Sequence, residues 1–306
     1  MTWSTADIPD QSGRVAIVTG SNTGLGFETA AELARAGATV VLACRTPSKA
    51  DEARRAIEAR TGNGAVQTLA LDLGDLSAIR DAAAETLERW PRLDLLINNA
   101  GVMIPPKSTT VDGFELQFGT NHLGHFAYTG QVLSALSTTH GSRIVTVSSI
   151  AHRDGRMHWD DLQWERSYNR MAAYGQSKLA NLLFTFELDR RLRTAGAETI
   201  ALAAHPGVSA TELARHIPLA SLPGVKQVAS ALLSATLNSA ADGALPSLRA
   251  ATDPEAAGSL YYGSTGYKEM RGAPDVVMPS PHAVREADWE RLWSLSEEFT
   301  GVTFPV

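Results

Sequence analysis

Short apolar runs rich in β-branched residues alternate with longer helix-patterned segments along most of the 306-residue chain. The runs are Arg14–Thr19, Thr39–Cys44, Ala65–Leu71, Leu93–Ile97, Arg143–Val147 and Thr199–Ala204. Each is nearly continuous in apolar side chains, as expected of strands covered by helices on both faces rather than strands with one face in water. Helical patterns fill the gaps at Gly24–Ala36, Pro47–Arg60 and Asp75–Trp90. Gly37 supplies a C-terminal stop for the first and Pro91 ends the third. Strand and helix in this order imply βαβ units with right-handed crossovers, and so an α/β fold around a doubly wound parallel sheet. No Pro/Gly/Ser-rich linker and no charge run divides the chain, so residues 1–306 are expected to form a single domain.

Composition narrows the function. Charged residues make up 20% and the net charge is −6; a nucleic-acid binder would ordinarily carry a basic balance, so no such partner is expected. The single cysteine, Cys44, forms no intramolecular disulfide and no CxxC pair. Residues 1–10 lack the basic start and apolar run of a cleaved signal, and no stretch of about 18 uninterrupted apolar residues exists to span a membrane. These features point to a cytoplasmic chain.

The first strand runs into Thr19-Gly20-Ser21-Asn22-Thr23-Gly24-Leu25-Gly26 and then a helix. Glycines here permit a tight turn and bring backbone N–H groups and the positive end of a helix dipole to a pyrophosphate. The spacing is G-x-x-x-G-x-G, without the G-K-[ST] ending of a triphosphate-hydrolysing loop. Taken alone, the turn could also be no more than a tight connection. In dinucleotide-binding (Rossmann) folds the second strand usually ends near a carboxylate that binds the adenosine ribose hydroxyls. Here the slot holds Cys44, which cannot do so, followed by Arg45, whose fork of donors suits a 2′-phosphate. NADP(H) is therefore favoured over NAD, against the plainer reading of Arg45 as a solvated surface arginine. Cys44 reads as a small buried residue.

Tyr174 and Lys178 stand four residues apart in the helix-patterned segment YGQSKLANLLFTFEL, on one helix face. A tyrosine hydroxyl ionises near ~10, too high for proton transfer at neutral pH. A close ammonium stabilises the phenolate, and about 4 kcal/mol of such stabilisation would bring it to ~7. A tyrosine tuned in this way is a good general acid or base.

With TGSNTGLG at 19–26, Asp72 in LALDLGD, NNAG at 98–101, Asn121 in TNHLGHF, Ser148-Ser149 in IVTVSS, Tyr174 with Lys178, and HPG at 205–207 followed by Thr211, the chain resembles the short-chain dehydrogenase/reductase family. The likeness runs over roughly residues 12–265, and its wording is nearest the retinol-dehydrogenase-like branch. The resemblance implies that Tyr174 exchanges the proton with a carbonyl or alcohol oxygen. Lys178 would assist it and bind the nicotinamide ribose. Ser149 would hold the reacting oxygen, and Asn121 a water relaying protons to Lys178. Ser149 fits better than Ser148, because strand neighbours face opposite sides. The cofactor would further contact Gly20, Ser21, Asn22, Thr23, Gly24, Leu25 and Gly26 in the turn; Asp72 and Leu73 at the adenine; Asn99, Ala100 and Gly101 at the ribose; and Pro206, Gly207, Val208 and Thr211 at the carboxamide.

The expected activity is hydride transfer between NADP(H) and a carbonyl or alcohol, with no metal. His152, His158 and Asp160 share a loop, but their spacing matches no zinc signature, so a structural or substrate-lining role is favoured for the histidines. A non-catalytic NADP(H)-sensing or scaffold protein on the same fold is the alternative, although it would have no use for Ser149, Tyr174 and Lys178 together. A sugar-nucleotide epimerase is disfavoured by the turn spacing, and a serine hydrolase by the absence of G-x-S-x-G. Loops at 150–173 and 208–240 carry apolar residues such as Met157, Trp159, Leu213 and Ile217, which suggests a lipophilic substrate. In the tail, 266–306, an amphipathic helix at Glu286–Thr300 is expected to pack on the sheet or on a partner subunit. The resemblance implies homo-oligomerisation, as a dimer or tetramer, through a long helix around 112–138 and the Tyr174 helix, with a monomer left open.

Overall fold

The computed structural model of the protein describes residues 2–208 and 238–306. Its strands are β1 (Val15–Thr19), β2 (Thr39–Cys44), β3 (Val66–Ala70), β4 (Leu95–Asn98), β5 (Arg143–Val147), β6 (Ile200–Ala204), β7 (Tyr261–Ser264) and β8 (Pro274–Val276). They form one eight-stranded sheet in the order β3-β2-β1-β4-β5-β6-β7-β8. All neighbours are parallel except β7 and β8. The expected purely parallel sheet thus carries an antiparallel edge. β8 is three residues long and begins with proline, which donates no ladder hydrogen bond and is tolerated at an edge.

Alternate side chains of each strand enter two different cores, which is why the strands read as unbroken apolar runs. Ile17 of β1 faces a core with Val41, Leu96, Phe126 and Leu133. Its neighbours Ala16 and Val18 face another, with Leu42, Leu33 and Leu248. On the second face lie α1 (Gly24–Arg35), α2 (Pro47–Thr61) and, beyond the 209–237 gap in the described residues, a helix at Ala240–Thr252. On the first face lie α3 (Leu76–Arg89), α5 (Gly124–Ser137) and α6 (Arg170–Thr194). Gly37, at φ +98°, lies one residue past the C-cap of α1, and its N–H returns to the Ala34 carbonyl.

The helix expected around 112–138 begins later. Residues 109–115 form a turn closed by an antiparallel bridge between Thr109 and Glu115. A short α4 (Leu116–Phe118) then passes through a π-helical turn, Gly119–Leu123, into α5. Glu115 caps this start, its buried carboxylate accepting from Gln117 N–H at 3.0 Å and Phe118 N–H at 2.7 Å. The Tyr174 helix begins earlier than its apolar pattern suggested. The Asn169 side chain accepts from the N–H groups of Met171 and Ala172, so α6 starts at Arg170 and Tyr174 lies in its second turn.

The last helix, α8 (Glu286–Thr300, with α7 being Ala240–Thr252), packs on its own chain. Trp293 meets Phe126 of α5 edge-on at 5.1 Å and stacks on Phe184 of α6 at 6.0 Å. Phe304, beyond it, reaches Phe126 at 4.7 Å and lies so close to Gly130 that a Cβ there would come within 2.7 Å. Trp293 and Phe304 thus pack against the parts of α5 and α6 around Phe126, Gly130 and Phe184.

Candidate active site

In an open α/β sheet, ligands bind outside the carboxyl ends of the strands where the strand order reverses, here between β1 and β4. A cavity of about 380 Å³ opens at that point. Its wall contains Gly20, Asn22, Thr23, Gly24, Leu25 and Gly26 from the turn, Arg45 after β2, Asp72 and Leu73 after β3, and Asn99, Ala100 and Gly101 after β4. These residues, scattered over eighty positions, come together because successive parallel strands all end on one edge. Ala43, Leu71, Val102 and Thr120 also line it. They are unremarkable residue types, and nothing in their local sequence marks them.

Close packing shapes the cavity floor. A Cβ on Gly26 would come within 2.5 Å of Asn99 Nδ2 and 2.7 Å of the Gly20 carbonyl. Only glycine lets the first turn of α1 lie this close to the ends of β1 and β4. Asn99 donates from its side chain to the Thr19 carbonyl at 2.8 Å, and the Thr19 hydroxyl accepts from the Asn99 and Ala100 N–H groups at 2.9 Å each. Gly26→Val is expected to abolish measurable NADPH binding in a fluorescence titration, because the side chain must displace Asn99 and the turn together. Retention of binding within about threefold of wild type, a difference of only ~0.7 kcal/mol, would show that the turn does not carry the ligand.

Ser21 departs from its expected role. Its side chain is fully buried, and the hydroxyl donates to the Val18 carbonyl at 2.8 Å beneath the turn. It braces the turn and does not face the cavity. Cys44 lies beside it, with Sγ 3.6 Å from Ser21 Oγ, and burial raises the thiol pKa. Arg45, in contrast, is exposed on the cavity wall and makes no ion pair among the described residues. Asp72 Oδ1 accepts from the Gly74 N–H at 2.9 Å, which fixes the carboxylate at the cavity edge.

Next to this cavity stand the proton-transfer candidates. Tyr174 and Lys178 are each 4% exposed on α6. Lys178 Nζ lies 5.8 Å from the Tyr174 ring centroid and donates to the Val147 carbonyl at 3.0 Å. A Cβ on Gly101, in the cavity wall, would be 3.5 Å from that Nζ. Asn121, in the π turn, accepts from Val102 N–H at 2.7 Å through Oδ1. Its Nδ2 donates to the Val102 carbonyl at 2.9 Å and to Ser177 Oγ at 3.0 Å, and Ser177 in turn donates to the Tyr174 carbonyl. The Asn121 side chain thus ties the cavity wall to the helix of Tyr174. Its backbone carbonyl accepts from His125 Nδ1 at 2.9 Å, while His125 Nε2 meets the Thr19 hydroxyl at 2.9 Å. Burial pushes this imidazole down to about 4 and that of His122, in the aromatic core, to about 3. Both are neutral structural histidines. Among the described residues no group of three His, Cys, Asp or Glu side chains is placed to hold a metal.

The two serines after β5 divide as strand alternation requires. Ser148 is buried and donates to the Lys178 carbonyl at 2.8 Å, whereas Ser149 remains partly open. The turn after Ser149 is pressed against α6 at the residue following Tyr174. A Cβ on Gly175 would lie 3.0 Å from the Ala151 carbonyl, and one on Gly155 would run into the Gly175 carbonyl. This glycine pair brings the Ser149 turn onto the Tyr174 helix. Pro206, Gly207 and Val208 leave β6 on the same edge. Asn238 Nδ2 donates to the Pro206 carbonyl and Val208 N–H to the Met270 carbonyl, each at 2.9 Å. His205 behind them pairs with Glu269. The imidazole, its Nε2 3.3 Å from Glu269 Oε2, holds the Glu269 carboxyl well below the usual range with help from Arg153. Thr211 and the 208–240 insertion, save for residues 208 and 238–240, lie outside the described residues.

A cavity at the β1/β4 switch point, with Lys178 beside its Gly101 wall and the turn of the partly open Ser149 packed on the helix of Tyr174, fits an NAD(P)-binding oxidoreductase. The chain matches the short chain dehydrogenase family over residues 14–220 and belongs to it. It is 43% identical to human retinol dehydrogenase 13 over 303 residues, 99% of this chain and 88% of that one. It is 40% identical to human retinol dehydrogenase 14 over 305 residues, 95% of this chain and 87% of that one, which sets it on the retinol-dehydrogenase-like branch. A crystal structure of an uncharacterised protein from Mycobacterium paratuberculosis, 42% identical, superposes with a TM-score of 0.83 and full coverage of both chains. The Pseudomonas aeruginosa RhlG/NADP active-site complex shares the fold at a TM-score of 0.63 and 24% identity, over 82% of this chain and 94% of that one. The protein is thus an oxidoreductase acting between CH–OH and C=O groups.

Proposed function

We propose that the chain uses NADP(H) to interconvert a lipophilic carbonyl compound and its alcohol. The carrying observation is Arg45: an exposed guanidinium on the wall of the nucleotide cavity, without an ion pair among the described residues, next to a buried cysteine where an NAD-binding carboxylate would stand. The residues present fit the cofactor. The Gly26 cradle leaves room that a Cβ would fill, the first turn of α1 opens onto the cavity, and Arg45 supplies donors for a 2′-phosphate. Bound there, the nicotinamide would supply the hydride chemistry.

The protein's part is to orient groups and move the proton. Ser149 donates its hydroxyl hydrogen to the reacting oxygen and stabilises the charge that develops on it. Tyr174 gives that oxygen its proton in reduction and takes it back in oxidation. Lys178, close to the tyrosine ring, favours the phenolate formed. Asn121 and Ser177 hold the helix and the cavity wall in register. The likeness to retinol dehydrogenases 13 and 14 supports an apolar substrate; Met157 and Trp159 of the 150–173 segment pack against the core between α6 and α8. Initial rates with NADPH and with NADH across a panel of long-chain aldehydes, retinoids, steroids and aromatic ketones test this reading. Preference for NADPH with an apolar carbonyl is the expected result. Tight NADPH binding with no turnover on any of them would support a sensor instead, and a strong NADH preference would overturn the role of Arg45.

A further inference from the structure

We infer that His152 is a positioning residue for Ser149: its ring fixes the backbone of the turn that carries the Ser149 hydroxyl to the segment following β8. The inference rests on the reading of Ser149 as the group that binds the reacting oxygen.

His152 is fully buried, three residues after Ser149, in the 3₁₀ turn Ile150–Arg153. Its Nδ1 lies 2.7 Å from the Ser149 carbonyl oxygen. A carbonyl can only accept, so Nδ1 carries the proton. Its Nε2 lies 3.1 Å from the backbone nitrogen of Ser280, 128 residues away in sequence. A backbone N–H can only donate, so Nε2 is the bare nitrogen. The two partners together select one neutral tautomer and use both ends of the ring. Tyr261 of β7 stands edge-on to it at 5.4 Å and 88°, with its hydroxyl 3.4 Å from Nδ1.

The effect on Ser149 is direct. Its carbonyl is gripped by the His152 side chain as well as by the His152 N–H at 3.0 Å, and its hydroxyl oxygen accepts from the Ala151 N–H at 3.2 Å. A short turn at the end of a strand would otherwise be free to shift. Through His152 it is tied to Ser280, and through the Gly155–Gly175 contact to the helix of Tyr174. Misplacing a catalytic group by about 1 Å can cost ~10²-fold in rate.

Asparagine and glutamine separate this role from simple core filling. His152→Asn places an amide N–H near Nδ1 and can keep the bond to Ser149. His152→Gln reaches the Ser280 N–H with its amide oxygen and gives up the bond to Ser149. The expected result is a kcat lowered ~10–100-fold in His152→Gln, with KM for NADPH unchanged within about twofold and His152→Asn within about fivefold of wild type. In a Ser149→Ala background, His152→Gln should lower kcat less than about twofold, since the two substitutions remove one function. Equal losses in the Asn and Gln variants, or a full loss from His152→Gln in the Ser149→Ala background, would overturn the inference. If His152→Gln yields no folded protein, His152→Asn decides: a loss beyond about tenfold with an unchanged Tm overturns it, and near-normal kcat upholds it. Near-normal turnover of Ser149→Ala alone would instead overturn the reading of Ser149. A large loss in Ser149→Ala beside an unaffected His152→Gln would overturn only the part given to His152.

Discussion

Tyr174→Phe should lower kcat for carbonyl reduction by ~10²–10⁴-fold, the range for losing a positioned general acid, while the Kd for NADPH stays within about threefold. The substitution removes one oxygen and leaves the ring. The buried position on α6, the packing of Gly175 against Ala151, and the Lys178 ammonium near the ring are all retained. The nucleotide cavity is walled by the turn after β1 and the ends of β2, β3 and β4, and Tyr174 is not among these lining residues. Binding and chemistry should therefore separate, a pattern opposite to that of Gly26→Val. Measuring kcat by NADPH absorbance and Kd by fluorescence on the same preparation provides the check. Turnover within tenfold of wild type would take the proton-transfer role away from Tyr174.

Arg45→Asp should reverse the cofactor preference. Charge-assisted hydrogen bonds are worth about 1.5–3 kcal/mol, so losing them should raise KM for NADPH ~10–100-fold. The new carboxylate repels a 2′-phosphate and can accept from ribose hydroxyls, so KM for NADH should fall. The exposed position of Arg45 means that its replacement leaves no hole in the core. Cys44 beneath it is part of the buried face of β2 and is expected to contribute nothing to the choice. An unchanged NADPH/NADH ratio in Arg45→Asp would return Arg45 to the status of a surface residue.

Six of the eight strands could be read from continuous apolar runs, because strands covered on both faces leave a run that solvent-facing strands do not. β8 could not, since a three-residue edge strand starting with proline has no such run. The start of α6 was also hidden: its first residues, Arg170 and Met171, are exposed, and the start is set by the Asn169 cap rather than by apolar spacing. Among the histidines, the loop position of His152 suggested only a structural or substrate-lining role. The bonds of His152 to Ser280 and of His125 to Thr19 span 128 and 106 residues, so no local pattern could announce them.

The sequence by itself determined the βαβ order, the glycine turn, the Cys44-Arg45 pair at the end of the second strand, and the spacing that makes Asn121, Tyr174 and Lys178 candidates. These are local facts of residue type and spacing. Only the tertiary structure decided that Ser21 braces the turn from beneath, that Ser148 is spent on the Lys178 carbonyl while Ser149 stays open, and that Trp293 and Phe304 pack against α5 and α6. Each depends on what lies across a packed interface. Which of two adjacent side chains finds a partner there is set by contacts between segments far apart in the chain, and a one-dimensional pattern does not carry that information.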